Sequence, residues 1–119
     1  MGVRQHNSRQ GLDKRCDEVL EELSHYTISS PFIAADFAKS VGCKEVNIRA
    51  AIRELRLKGI RICSDPNHRG YWLEEHGGGY EITRRQMLSR AFKILEVVKA
   101  MDGNKDGQFE WDDIIRAVS

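Results

Sequence analysis

The chain of 119 residues has no run of eighteen apolar residues, so no membrane-spanning helix is expected. Its first ten residues carry Arg4, His6 and Arg9 but no apolar stretch, and no secretory signal is expected there. Cysteine is scarce. Cys16, Cys43 and Cys63 are odd in number and form no C-x-x-C pair, which argues against a disulfide framework. Reduced core thiols in a cytoplasmic protein are expected instead. A zinc site from Cys63 and His68 matches no common ligand spacing. There is no Ser-His-Asp pattern, no phosphate-cradling G-x-x-x-x-G-K and no paired-carboxylate pocket, so the chain is not expected to be an enzyme. Gly77-Gly78-Gly79 lacks a strand–Lys–helix context and reads as a linker. His25 and His76 stand alone and read as structural or solvated.

Net charge is only +1, which by itself says nothing about nucleic acid; its distribution says more. Between Gly42 and Trp72, the bases Lys44, Arg49, Arg53, Arg56, Lys58, Arg61 and Arg69 face only Glu45, Glu54 and Asp65. From Asp102 onward the balance reverses: Asp102, Asp106, Glu110, Asp112 and Asp113 stand against Lys105 and Arg116. Any phosphate-binding surface therefore belongs to the middle of the chain.

Cys16, Val19, Leu20, Leu23 and Tyr26 recur at helical spacing, predicting a first helix over roughly residues 12 to 25. Residues 27–32 can hold a short edge strand. Ala34 to Val41 reads as a second helix, closed by Gly42, where a residue without a Cβ turns at least strain. Lys44 to Lys58 reads as a third. Its Ile48, Ala51, Ile52 and Leu55 face inward, and Lys44, Val46, Asn47, Arg49, Ala50 and Arg53 face outward. Beyond Gly59, Ile60 to Cys63 reads as a strand, Ser64 to Gly70 as a turn-rich loop, and Tyr71-Trp72-Leu73 as an aromatic return strand. This hairpin, set directly after a basic helix, is a candidate wing with His68 and Arg69 at its tip.

Three segments together resemble a known family: Phe37-Ala38-Lys39-Ser40-Val41-Gly42, then Ile48 to Ile60, then Gly70-Tyr71-Trp72-Leu73. They are similar to the winged helix-turn-helix at the N-terminus of biotin-operon repressors and of small phage and prophage DNA-binding proteins. The likeness covers roughly residues 15 to 74; no biotin-ligase domain follows, so only the DNA-binding role is implied. The resemblance implies that the third helix enters the major groove by its N-terminal half. Asn47, Arg49 and Arg53 would then lie at base edges or nearby phosphates, and Lys44, Arg56 and Arg69 would hold the DNA backbone. His68 and Arg69 would reach phosphate or the minor groove. Lys44 departs from the pattern, because the family usually has a capping Ser or Thr there.

His76-Gly77-Gly78-Gly79 is a hinge, and Thr83 to Gln86 reads as a capping box opening a helix over 83–101. That helix carries two apolar stripes, Met87, Ala91, Ile94, Val98, Met101 and Leu88, Phe92, Leu95. Two readings are open: the helix completes the core, or one stripe pairs with a second chain as a homodimer. The stretch after it resembles a single EF-hand loop. The resemblance implies a Ca²⁺ ligand set of Asp102, Asn104, Asp106, the Gln108 carbonyl and Asp113, with Glu110 acting through water. Asp113 stands where the family has Glu, and no second EF-hand is present.

The expected fold is mainly α with a small β-hairpin (α+β). It comprises a disordered 1–11, a winged helix-turn-helix over 12–75, a hinge over 76–82, a packing or dimerisation helix over 83–101 and an acidic loop with a short helix over 102–119. The expected function is sequence-specific binding of double-stranded DNA in transcription regulation, with no required cofactor. The alternative is a protein-interaction adaptor on the same scaffold, calcium-responsive through its last loop.

Overall fold

A computed structural model describes residues 2–65, 67–103 and 116, with side chains from residue 10 onward except at 68. The elements run α1 (Gly2–Leu23), α2 (Ala34–Val41), α3 (Glu45–Leu57), β1 (Ile62–Asp65), β2 (His68–Leu73), a 3-10 turn (Glu74–His76) and α4 (Tyr80–Met101). The protein is mainly helical with a small two-stranded antiparallel sheet, as expected. It divides into two compact units, Met1–Thr83 and Arg84–Ser119.

In the first unit, α1, α2 and α3 enclose one apolar core. The helical stripe of α1 delivers Cys16, Val19 and Leu23 to it, α2 delivers Ala34 and Ala38, and α3 delivers Ile48, Ala51, Ile52 and Leu55. Phe32 fills the centre, edge-on to Tyr26 with ring centroids 5.6 Å apart. The α2–α3 turn follows from its glycine. Gly42 has φ 74°, its N–H caps the Ala38 carbonyl, and the next amide, Cys43 N–H, donates to the same oxygen at 2.9 Å. Helix α1 begins at Gly2, earlier than the start expected near residue 12. Residues 3–10 contain no proline, and adding a residue to a helix already nucleated and packed gains a backbone bond without a new nucleation cost.

The hairpin is longer and its connection shorter than the composition suggested. Ile62 pairs with Leu73, Cys63 with Trp72 and Asp65 with His68, so only residues 66 and 67 join the strands. Asp65 Oδ1 accepts the Asn67 N–H at 2.7 Å, an Asx turn that replaces the broad loop expected over 64–70. Ser64 alone faces Arg69, Gly70 and Tyr71, which makes a bulge in β2. The outer edge of β2 carries a third, one-residue strand: Phe32 and Tyr71 exchange both backbone bonds at 2.8 Å.

Thr83 explains how α4 begins. It does not cap the helix, which starts three residues earlier at Tyr80. Its buried hydroxyl accepts the Ser64 N–H at 3.0 Å and shares its proton between the Ser64 and Gly79 carbonyls, at 3.0 and 3.1 Å. The bulge takes Ser64 out of the ladder, and this one side chain satisfies both freed backbone groups. Nearby, Trp72 Nε1–H donates to Gly78 O at 2.8 Å and Arg61 stacks over the Tyr80 ring at 4.0 Å. His76 Nδ1–H donates to Tyr26 O at 3.0 Å, the structural role expected for it. Within the segment expected as a Gly-rich hinge over 76–82, His76, Gly78 and Gly79 each make one of these bonds.

Cys16, Cys43 and Cys63 are free thiols, two of them buried in the core. Burial raises the pKa of Cys16 and Cys63 above the ordinary thiol value, because no solvent stabilises a thiolate there. An acid that holds its proton more tightly when folded contributes stability below its unfolded pKa and loses that contribution as pH rises through the folded value. The melting temperature is therefore expected to be flat in pH up to about 8 and to fall progressively above about 8.5. Replacing both thiols with Ala or Ser changes the baseline but removes much of the alkaline slope, which thermal melts across pH 7 to 10 would measure.

Candidate nucleic-acid interface

The periodicity of α3 decides which side chains are free. With Ile48, Ala51, Ile52 and Leu55 committed to the core, the rest of the helix surface presents Val46, Asn47, Arg49, Ala50 and Arg53, with Lys44 at the N-cap, every one of them exposed. Val46 is 63% exposed, an apolar side chain set among cations on an open surface. Lys44 occupies the N-cap position with extended backbone and makes no side-chain cap bond, as its chemistry dictates. Its ammonium is left to solvent at the end where the helix dipole already favours an anion.

Arg49 Nη2 lies 3.0 Å from Glu45 Oε1 one turn earlier. Both partners are well exposed, and such an i, i+4 pair contributes only about 0.3–0.5 kcal/mol in water. The guanidinium can therefore exchange this carboxylate for a phosphate or a base edge at little cost. Arg53 forms no ion pair with any described residue, and its side chain continues the same row one turn on. Asn47 also borders a shallow cleft of about 350 Å³ between α1 and α3, lined by Gly11, Leu12, Arg15, Asn47 and Ala50. Arg15, held 3.0 Å from Glu18, joins the margin of this face. Sequence reasoning missed it, because helical periodicity does not say which α1 residues lie beside which α3 residues.

Two expected contacts change role. Arg56 faces the hairpin instead of solvent. Its Nε and Nη2 donate to the Ile62 carbonyl at 2.9 and 2.7 Å, Nη2 reaches Ser64 Oγ at 3.4 Å, and the guanidinium lies 5.6 Å from the Tyr71 ring centre. It is a strut fixing β1 to the end of α3. Arg69 is exposed as expected but sits within β2, in the bulge opposite Ser64, and not at a loop tip. His68 likewise begins β2; its side chain lies outside the described residues.

Arg56→Ala is expected to lower stability by roughly 1–3 kcal/mol, the usual cost of losing a charge-assisted bond at a half-buried site. Arg56→Lys is expected to recover less than half of it, because an ammonium cannot present two donors in one plane to a single carbonyl. Urea melts of the three proteins would measure both changes.

The EF-hand resemblance falls mostly outside the described residues: Asn104, Asp106, Gln108, Glu110 and Asp113 belong there. Asp102 is described and directly follows α4, with its N–H donating to Val98 O at 2.9 Å. Among the described residues no group of three or more His, Cys, Asp or Glu is placed to hold a metal ion. Among the described residues no helix is long and apolar enough to cross a bilayer. No family model matches this chain, and no curated protein or solved structure shows significant similarity to it.

Proposed function

We propose that this protein binds double-stranded DNA sequence-specifically, as a transcription regulator of the winged helix-turn-helix type. The observation that carries the reading is the outward face of α3. Arg49 and Arg53 lie on the exposed side of α3 opposite its buried side, Asn47 stands at the edge of that side, Lys44 is exposed at the N-cap, and Arg69 is exposed on the adjoining hairpin. An α-helix with side chains fits the major groove, where Arg pairs with guanine and Asn with adenine through two hydrogen bonds each. Asn47 and Arg49 lie nearest the N-terminus of α3, the end that such motifs insert. Lys44 at the N-cap of α3 and Arg69 on the hairpin are the contacts proposed to the DNA backbone. Arg56 is not among the contacts; it holds the hairpin at its angle to α3.

The test is fluorescence anisotropy of labelled random-sequence duplex at a series of salt concentrations. Lys44 and Arg69 at phosphates, with Arg49 and Arg53 at base edges or nearby phosphates, predict a slope of log K against log salt of about −2 to −4. Absence of binding at low salt, or affinity that ignores salt, refutes the reading. Salt-independent retention of a protein partner in its place would favour the adaptor role.

A further inference from the structure

We propose that α3 reads thymine, packing Val46 and Ala50 on the C5-methyl group that this base displays in the major groove. The inference rests on the DNA-binding reading and deepens it by naming a base. At about 100° per residue, Val46, Ala50, Arg53 and Leu57 fall within about 60° of one another around the helix axis. The centre of that arc lies about 180° from the centre of the buried Ile48, Ala51, Ile52 and Leu55. These four residues are therefore the outermost line of α3, and all four are exposed. Arg49 stands about 70° to one side of the line and Asn47 about 90° to the other.

Charge and chemistry select the occupant. Lys44, Arg49 and Arg53 are exposed around Val46 and Ala50. The carboxylates Glu45 and Glu54 stand about 110° and 70° off the line and are only part-exposed. A narrow apolar strip among cations suits a groove walled by phosphates, which attracts the cations while the strip faces its floor. Val46 and Ala50 can neither donate nor accept a hydrogen bond. Set over guanine N7 and O6, cytosine N4, or adenine N7 and N6, they would cover a polar group and give it no partner. Thymine alone among the unmodified bases offers a methyl group there. On a helix, Cβ atoms four residues apart are separated by about 5–6 Å, so one methyl group can touch both side chains. Val46 is β-branched and holds mainly one χ1 rotamer in a helix, so little freedom is lost on contact. Leu57 stands about 16 Å along the axis from Val46, beyond the N-terminal half that such motifs insert.

Competition anisotropy tests this on the duplex that the full chain enriches most from a random-sequence pool. Each thymine is replaced in turn by deoxyuridine, which lacks only the methyl group. Affinity is expected to fall about fourfold at one or two positions, the worth of one buried methyl-sized group, and to hold at the others. Val46→Ser is expected to bind the thymine duplex about fourfold more weakly and to bind the thymine and deoxyuridine duplexes alike. Its far-UV circular dichroism should be unchanged, because Val46 is 63% exposed in the free chain. Leu57→Ser, on the same line but out of reach, keeps the full discrimination. Equal affinity for every deoxyuridine duplex, an enriched duplex without thymine, or discrimination that survives Val46→Ser overturns the proposal and leaves DNA binding intact. Failure to enrich any duplex at low salt refutes the DNA reading and the thymine assignment with it. A protein partner that Val46→Ser releases would in that case give the strip to the adaptor role.

Discussion

Gly70→Ala is expected to destabilise the first unit by roughly 2–4 kcal/mol, a drop in melting temperature of about 10 °C or more. Gly70 sits in the β2 bulge with φ 134°, a backbone region that L side chains rarely adopt. A Cβ built there collides with the Phe32 carbonyl oxygen and lies 3.0 Å from Ile33 Cδ1 and 3.1 Å from the Phe32 carbonyl carbon. The obstacle is backbone, and it is backbone that pairs with the next residue, Tyr71, through two 2.8 Å bonds. Relief requires parting the Phe32 strand from β2, which also loosens the Phe32 ring in the centre of the core. Gly11→Ala supplies the contrast. Gly11 is helical and a Cβ there meets nothing within 4 Å, so the same substitution is expected to stabilise by about 0.5–1 kcal/mol. Thermal melts of the two variants should move in opposite directions.

Reversing two charges on α3 is expected to abolish DNA binding without unfolding anything. In Arg49→Glu with Arg53→Glu, two exposed guanidiniums become carboxylates on the face proposed to meet DNA. Each base or phosphate contact of this kind contributes about 1–3 kcal/mol, so the joint loss is on the order of 10²–10³-fold in affinity at fixed salt. The fold should hardly notice. The Arg49–Glu45 pair is exposed, Arg53 has no ion pair among the described residues, and neither side chain reaches the core. The expected change in unfolding free energy is under about 1 kcal/mol. Arg56→Ala should do the opposite: a clear loss of stability and a smaller loss of affinity, through a hairpin no longer held to α3. Anisotropy and melts on the same three proteins separate surface contacts from struts.

Much of the first unit was legible in the sequence because it rests on local periodicity. The four inward positions of α3 and the outward Val46, Asn47, Arg49, Ala50 and Arg53 follow from 3.6-residue spacing, and these are buried and exposed respectively as that spacing predicts, whereas Lys44 is exposed because it stands at the N-cap outside the helix. Gly42 announced its turn for the same kind of reason. What was not legible depends on partners distant in sequence. Arg56 looks like another surface cation until the Ile62 carbonyl is brought beneath it. Thr83 satisfies the local rule for a helix cap, yet its hydroxyl is drawn to Ser64, nineteen positions earlier, by a bulge that no local pattern encodes. The same bulge moved Arg69 from a loop to a strand, because turn-forming residues over 64–70 are compatible with either a broad loop or a tight turn inside longer strands. The start of α1 was misjudged because polar residues were read as loose, whereas a packed helix extends through such residues at little cost.

The most direct measurement is an amide NMR titration of the isotopically labelled protein with duplex DNA, read residue by residue. The account predicts shift changes concentrated at residues 44–53 and along the hairpin at 65–70, weakening in step as salt is raised. Changes confined to α4, or spread over the α1 surface while residues 44–53 stay still, would contradict it.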